Sequence, residues 1–589
     1  MFAFWWAREP ERWAAELVAL VEDGWRVKIT DIREGEGIIT VTIWPEQRAA
    51  DDPRPPSAAQ VAERLGDAGL TVTFPPTYPY FPPRVYDPAN ALGLTRHRAT
   101  KTGELCLISA ADWNVDHSAA SLLAEQLPAA LAADGGDTHL EAQTPEPALR
   151  EVTADQHAQV LVDGAWRVPP EIPGGLITVR FRQGESHVLG AGVVEAVTAP
   201  GLHLRTFRPE VLDCFPYRLV GRWVRWNGHD PTAPPAQTWQ QMADVDRAVN
   251  GACRTGPRPS PHFQLLAALV PSETHYRTTD GHEWLFVVRA RPSVGKAWTH
   301  ATLTGAPAGP GDIAQRRPET IPLADKQVVV VGLGGLGGPV AHDLARAGVG
   351  GLDLIDGDVS DPATGCRQHA PIIYAGLPKV WTHETQILQD SPHTHVSPWI
   401  MRLGAVPRSD RDNAGNDHEF VLDLVAGADL VVDTTAYPTC SRYLAALCAT
   451  ARVPFVHASA TAGGWGGVVA RIRPGTTSGC WGCLQHHRHG HTVPTPPAAT
   501  TGGTVAPTGC PESTYVATGA DLAGIAAHAA RLSIHTLLAD DNDFDDLNTA
   551  AMRDQAGRAA PLTWSTQALR RHPECGNHLS DAPWGQVYE

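Results

Sequence analysis

The run VVVVGLGGLGGP holds Gly332, Gly334 and Gly337 as G-x-G-x-x-G directly after an apolar stretch. Glycines there let a backbone turn tightly and come close to a phosphate, and the helix that follows aims its free amides at the anion. Asp356 stands 24 residues after Gly332, where a carboxylate can accept ribose hydroxyls. Taken alone, this motif admits both ATP and NAD, and an NAD-dependent oxidoreductase is its default reading. Downstream lie Asp358, Arg367-Gln368 and Gly376-x-Pro378-Lys379. Only five of the 47 basic residues are Lys, so Lys379 stands out from an Arg-rich background. Cys480-Trp-Gly-Cys483 and Cys575-Gly-Asn-His578 together offer three thiolates and an imidazole, a tetrahedral donor set for Zn2+. Cys510 is alone in PTGCPES, just before a helix expected over 521–538, and a helix N-terminus nearby favours the thiolate.

These residues need elements to hold them. From about residue 319 the pattern alternates strand, helix and strand, a βαβ unit that implies a parallel sheet covered by helices. Further strands are expected at 430–432, 455–457 and 468–472, and a Pro/Thr/Gly stretch at 492–509 reads as a flexible crossing loop. Residues 151–318 alternate short apolar runs with Gly and Pro, a mostly β or α+β module without a catalytic constellation. The first region opens with an amphipathic helix over 9–21, continues through strands and a proline-rich segment, and returns to helix at 118–132. Residues 133–150 read as a linker. The fold class is therefore multidomain α/β, with domains expected at 1–140, 151–318 and 319–589.

Composition excludes several function classes. The chain has 589 residues, 43% of them hydrophobic, and a formal net charge of −17. Such an acid excess argues against nucleic-acid binding, and no apolar run is long enough for a membrane span. Ten cysteines and no secretory pattern at the N-terminus imply reduced thiols and a cytoplasmic protein.

The four motifs in register resemble ThiF/MoeB-type activating enzymes, which adenylate ubiquitin-like and sulfur-carrier proteins. The resemblance covers roughly 319–589. It implies a Rossmann-like adenylation fold that uses ATP and Mg2+, with Gly332, Gly334, Gly337, Asp356, Asp358, Gln368 and Asp433 at the nucleotide and Arg367 and Lys379 stabilising charge at the α-phosphate. It also implies that Cys510 accepts the activated carboxyl as a thioester, that the enzyme is a homodimer, and that a structural zinc is bound. Two positions depart from the family. Thr364 replaces its Asn, and Asp433-Thr434-Thr435-Ala436 lacks the second carboxylate of its D-x-T-D. Metal binding then falls to Asp356, Asp358 or Asp433, or to the nucleotide phosphates.

The first region resembles ubiquitin-conjugating enzymes. It has Tyr78-Pro79-Tyr80-Phe81-Pro82-Pro83-Arg84-Val85, then His97, then Gly103-Glu104-Leu105-Cys106-Leu107, then Trp113. The resemblance implies an α+β conjugating fold with Cys106 as acceptor thiol. Arg98-Ala99 follow His97 where the family has Pro-Asn, so His97 or a backbone amide takes the missing Asn's part. A conjugating domain fused to an activating domain resembles the ligases of CBASS-type antiphage operons. The expected function is adenylation of a partner's C-terminal glycine, relay through Cys510 and Cys106, and conjugation to a target amine. The partner would be a ubiquitin-like protein or a cyclic-nucleotide synthase. A sulfur-carrier adenylyltransferase is the alternative.

Overall fold

Consecutive valines flanked by turns suit a strand buried on both faces, as in parallel sheets. In the computed structural model Gln327–Val331 is such a strand, and Val328, Val329 and Val330 are fully buried. The structure describes all residues except 1–3, 47–55, 101, 109–110, 135–147, 150–158, 184–188, 229–232, 251–259, 276, 279, 405–416, 506–513, 540–543, 555 and 579–589. Among the described residues no helix is long and apolar enough to cross a membrane. The chain forms two compact units, one of residues 1–162, 167–205 and 215–306, the other of 163–166, 206–214 and 307–589.

The second unit is built on an eight-stranded sheet. Its spatial order is His395–Ile400, Gly351–Asp356, Gln327–Val331, Leu430–Asp433, Phe455–Ala460, Gly466–Ile472, Leu547–Arg553 and Ala559–Gln567. The first five strands are parallel and the remainder antiparallel. Val328 and Val330 face a core formed with helices Gly337–Arg346, Lys379–Asp390 and Gly519–Leu537. Val329 and Val331 face Asp417–Ala426, Pro438–Ala451 and Trp481–His489 on the other side. Along the chain the parallel strands run third, second, first, fourth, fifth. The order therefore reverses between Gln327–Val331 and Leu430–Asp433, and the region beyond their carboxyl ends is the usual ligand position in such sheets.

The expected flexible loop at 492–509 is pinned along its described part. Thr461 Oγ1 donates to Pro497 O at 2.5 Å, and Ala499 N donates to Ala462 O at 2.9 Å. Pro496 and Pro497 are buried, so proline content here marks packing rather than freedom. Cys510, just past this stretch, lies outside the described residues.

The first unit holds two sheets. Helix Pro10–Glu22 is followed by an antiparallel meander of Trp25–Arg33, Ile38–Pro45, Leu70–Phe74 and Arg84–Tyr86, and later by helix Ala119–Asp134. Alternate residues Ile39, Val41 and Ile43, with Leu70, Val72 and Phe74, turn to one core with Leu20, Leu123 and Leu127. The second sheet runs Gln159–Val162, Thr299–Pro307, Gly281–Ala290, Phe263–Ser272, Tyr217–Arg225, Gly174–Gln183 and Leu189–Ala199. Leu189–Ala199 pairs back with the first strand, Val160 with Gly192 and Leu161 with Val193, so these seven strands close into a barrel, and the short strand Leu202–Leu204 pairs with Leu189–Ala199 beyond the closure. Helix Pro235–Asn250 covers Leu266, Ala268 and Val270 on the outside through Trp239 and Met242. On the opposite face Trp223 meets Trp284 edge-on, and Trp284 stacks on Phe286.

Candidate active site

The glycine turn lies at the point where the strand order reverses. Gly332 has φ +88°, and a Cβ there would come within 3.0 Å of the Thr435 backbone. A Cβ on Gly337 would lie 1.7 Å from Gly332 O. Both glycines are thus demanded by the protein's own backbone. Gly334 differs, because a Cβ there meets nothing within 4 Å. The protein leaves open space at that glycine, and no side chain caps the helix Gly337–Arg346 that starts beside it.

Acidic and basic side chains frame this turn. Asp356, at its strand's end, accepts the Leu333 amide at 2.6 Å and the Asp358 amide at 2.7 Å, which fixes the loop from below. Asp358 accepts Lys379 Nζ and Arg402 Nη2, each at 3.0 Å. Burial raises the Asp358 carboxyl's pKa, but these two cations outweigh it and hold the group below the ordinary aspartate range. Lys379 is the first residue of helix Lys379–Asp390 and is buried, and its amide also donates to Asp358 O at 3.0 Å. The motif Gly376-x-Pro378-Lys379 thereby aims one ammonium at one carboxylate.

Arg367 and Gln368 sit on a turn whose amides both reach Thr364 O. Arg367 Nη1 donates to Tyr515 O at 2.5 Å, and its carbonyl packs 3.1 Å from where a Gly335 Cβ would be. The Arg367 turn therefore bridges the glycine loop and the segment entering helix Gly519–Leu537. Cys366 is exposed; its carbonyl accepts Gly519 N at 2.8 Å, and its thiol lies 3.9 Å from Ala517 O.

Asp433 is fully buried. Its carboxylate accepts Thr435 N and Oγ1 and pairs with His457 Nδ1 at 2.8 Å. Burial pushes its carboxyl up, yet the bonds from His457, Ser441 and Thr435 keep it below the ordinary range. Ala436, where the family resemblance led us to expect a carboxylate, has φ +60°. Asp tolerates that left-handed backbone better than alanine does. Arg402 and His457 escape sequence reasoning, although a histidine inside the apolar strand FVHASA is a visible signal for a buried polar partner.

Cys480, Cys483 and Cys575 form a buried trio. Cys480 Sγ lies 3.8 Å from Cys483 Sγ and 3.5 Å from Cys575 Sγ. Tetrahedral zinc–sulfur bonds of about 2.3 Å give sulfur spacings of about 3.8 Å, so the trio fits zinc. His578 ends the short helix Gly576–His578 beside Cys575. Cys480→Ala and Cys575→Ala should each lose bound zinc by elemental analysis, and retention of metal in both would reject these ligands.

Residues 317–564 match the model of the ThiF family. The C-terminal region is a ThiF-family domain. Over 166 residues, 28% of this chain and 59% of the relative, it is 32% identical to the sulfur carrier protein ThiS adenylyltransferase of Escherichia coli. Over 140 residues, 23% and 51% of the two chains, it is 35% identical to the molybdopterin-synthase adenylyltransferase of Salmonella typhimurium. The chain thus spans little more than half the length of either adenylyltransferase. Along nearly its whole length it resembles the uncharacterized protein y4oA of Sinorhizobium fredii, at 28% identity over 97% of both chains. The crystal structure of E. coli MccB with ATP aligns over 44% of this chain and 68% of its own at 20% identity, with a TM-score of 0.33, too loose a likeness to argue from.

Behind the glycine turn the ThiF-family domain buries two histidines. His342 Nε2 and His383 Nδ1 are 3.2 Å apart. Burial, reinforced by Arg346, lowers His342 to about 4, and burial with its neighbour His342 lowers His383 to about 3. Both rings are neutral in the fold, while unfolded histidines titrate near 6.5. Between about pH 6.5 and these lower values the unfolded chain binds more protons, so stability falls as pH falls. Denaturant unfolding at pH 7.5 and 5 should show a loss on the order of a few kcal/mol. His342→Gln should make that loss smaller, and an unchanged pH slope would reject the assignment.

In the first unit Cys106 is exposed, and its amide donates to His97 O at 2.7 Å. Bridges Tyr86 to Glu104 and Arg98 to Leu105 hold the two segments together. Gly103 has φ +74°, and a Cβ there would lie 2.8 Å from Asp87 O, so the turn before Cys106 demands glycine. Trp113 Nε1 donates to Pro79 O at 2.7 Å, which ties the segment after Cys106 to the proline-rich stretch.

Proposed function

We propose that the ThiF-family domain adenylates the C-terminal glycine of a partner protein, and that the chain relays the acyl group through Cys510 and Cys106 to an amine on a target protein. The observation that carries the adenylation step is the buried Lys379, paired with Asp358 beside a glycine turn that leaves Gly334 open. In that step a carboxylate oxygen of the partner forms a bond to the α-phosphorus of ATP, and pyrophosphate leaves. Lys379 and Arg367 neutralise charge on the phosphates, and the uncapped amides of helix Gly337–Arg346 receive a phosphate oxygen. A cysteine thiolate then takes the acyl carbon and AMP leaves, which divides one difficult acylation into easier transfers.

The carboxylates offer little to a protein-held Mg2+. Asp433 is buried with its partners, Asp356 holds two amides and Asp358 holds two cations. The ion, which supplies charge neutralisation when bound, would therefore be held chiefly by the nucleotide phosphates. Ala436→Asp should lower the Mg2+ concentration needed for half-maximal activity, and an unchanged requirement would remove position 436 from the metal question. Cys480, Cys483, Cys575 and His578 would hold zinc in a structural role, pinning residues near the C-terminus to helix Trp481–His489.

Support for the conjugating half is the order helix, four-stranded meander, exposed Cys106 loop and helix, with domains taken at 1–140, 151–318 and 319–589. The antiphage setting follows the resemblance of such a fusion to CBASS-type ligases, the homodimer follows the activating-enzyme resemblance, and the cytoplasmic setting follows the reduced thiols and the absence of a secretory pattern. The sulfur-carrier reading is favoured by the names of the two adenylyltransferase relatives. Exchange of labelled pyrophosphate into ATP tests adenylation. It should depend on a partner with an intact C-terminal glycine, ubiquitin-like protein or cyclic-nucleotide synthase, and exchange without any partner would reject the reading.

A further inference from the structure

Next to the thiolate trio the C-terminal domain gathers a second donor set. Helix Trp481–His489 carries Cys483, His486 and His487 three and four residues apart, on one face. The segment bearing Cys575 lies against that face, where His572 N donates to Cys483 Sγ at 3.3 Å. His487 is committed as a tether, with Nε2 2.9 Å from Arg570 O and Nδ1 2.7 Å from Thr492 Oγ1. Its ring also meets His572 edge-on, whereas the His486 and His572 rings stack with centroids 4.9 Å apart and planes 15° from parallel. One ligand atom each from His486, His572 and Glu574 falls within 4.8 Å of the others. The two histidines are half-buried and Glu574 is exposed. The sequence around them, Gln485-His486-His487-Arg488-His489-Gly490-His491, is a histidine tract that adenylation does not use.

We propose that His486, His572 and Glu574 bind a second divalent transition-metal ion, Zn2+ by donor chemistry, with one coordination position open to water. Two imidazoles and a carboxylate suit zinc and neighbouring borderline metals, and three protein ligands with an exposed side leave a fourth position for solvent. Binding through Nε2 of His572 moves the ring proton to Nδ1 and gives up the 3.2 Å contact that Nδ1 now accepts from Glu574 N. The site is therefore weaker than the thiolate trio and loads after it. It links the same two segments that the trio links, helix Trp481–His489 and the stretch around Cys575, so its occupancy clamps that stretch a second time. The proposal stands apart from the adenylation reading, since none of its donors belongs to the glycine turn.

Titration of the full-length protein with Co2+, followed by absorption and elemental analysis, tests it. Wild type should take up a further equivalent that adds weak visible bands without near-ultraviolet sulfur-to-cobalt charge transfer. His486→Ala and Glu574→Gln should each lose that equivalent while keeping the metal of the thiolate trio. His572→Ala should behave in the same way. If the variants take up as much cobalt as wild type, the site does not exist. If His572→Ala instead loses sulfur-to-cobalt absorption, His572 is the fourth ligand of the thiolate trio and the proposal is overturned.

Discussion

Lys379→Ala should abolish pyrophosphate exchange while the protein stays folded. Its ammonium is buried and meets Asp358 at 3.0 Å, so it is fixed before any nucleotide arrives and need not reorganise as charge develops. Removing one such fixed donor typically costs a factor of about 100–1000 in kcat. The stability cost should be small. Asp358 is half-exposed and keeps Arg402 at 3.0 Å after the change, so no buried carboxylate is left unpaired. Lys379→Arg tests geometry separately. A planar guanidinium does not replace a compact ammonium at the start of helix Lys379–Asp390, so activity should remain low with the charge kept. Normal exchange by Lys379→Ala, measured alongside an unchanged unfolding midpoint, would reject the role.

Local chemistry was legible in the sequence wherever residues close in the chain act together. The glycine turn, Asp356 after the next strand, and Gly376-x-Pro378-Lys379 are each short local motifs, and Gly337 answers a backbone contact inside its own turn, with Gly332 O. What was not legible depends on partners far along the chain. Nothing near Asp433 indicates that His457 will occupy its carboxylate, or that Arg402 will share Asp358 with Lys379. Closure of the barrel rests on Val160 meeting Gly192, a pairing that no alternation in either strand specifies. Strand Ala559–Gln567 is almost wholly exposed and carries little apolar pattern, so its place at the sheet edge is set by pairing with Leu547–Arg553. The proline stretch misleads in the other direction, since Pro496 and Pro497 fill space against Gly466 rather than loosen the chain.

The thiols should load in a fixed order, Cys510 before Cys106. In the proposed reaction the adenylate forms in the ThiF-family domain, and Cys510 belongs to that region of the sequence while Cys106 belongs to the first unit. With ATP and a cognate partner, Cys106→Ala should stall with a thiol-sensitive adduct that peptide mapping finds on residues 319–589. Cys510→Ala should make adenylate, seen as sustained pyrophosphate exchange, and should carry no thioester on either region. Conjugation to amine should fall to background in both variants, because each removes an obligatory acceptor. Cys366 supplies the necessary control. It is exposed, adjoins Arg367 and lies against the segment entering helix Gly519–Leu537, so it is a second thiol beside a residue proposed to act at the α-phosphate. Cys366→Ala should leave both adducts intact. If Cys510→Ala still charges Cys106 and Cys366→Ala does not, Cys366 is the first acceptor. If neither change prevents charging, the acyl group passes straight from adenylate to Cys106 and the relay has a single thiol.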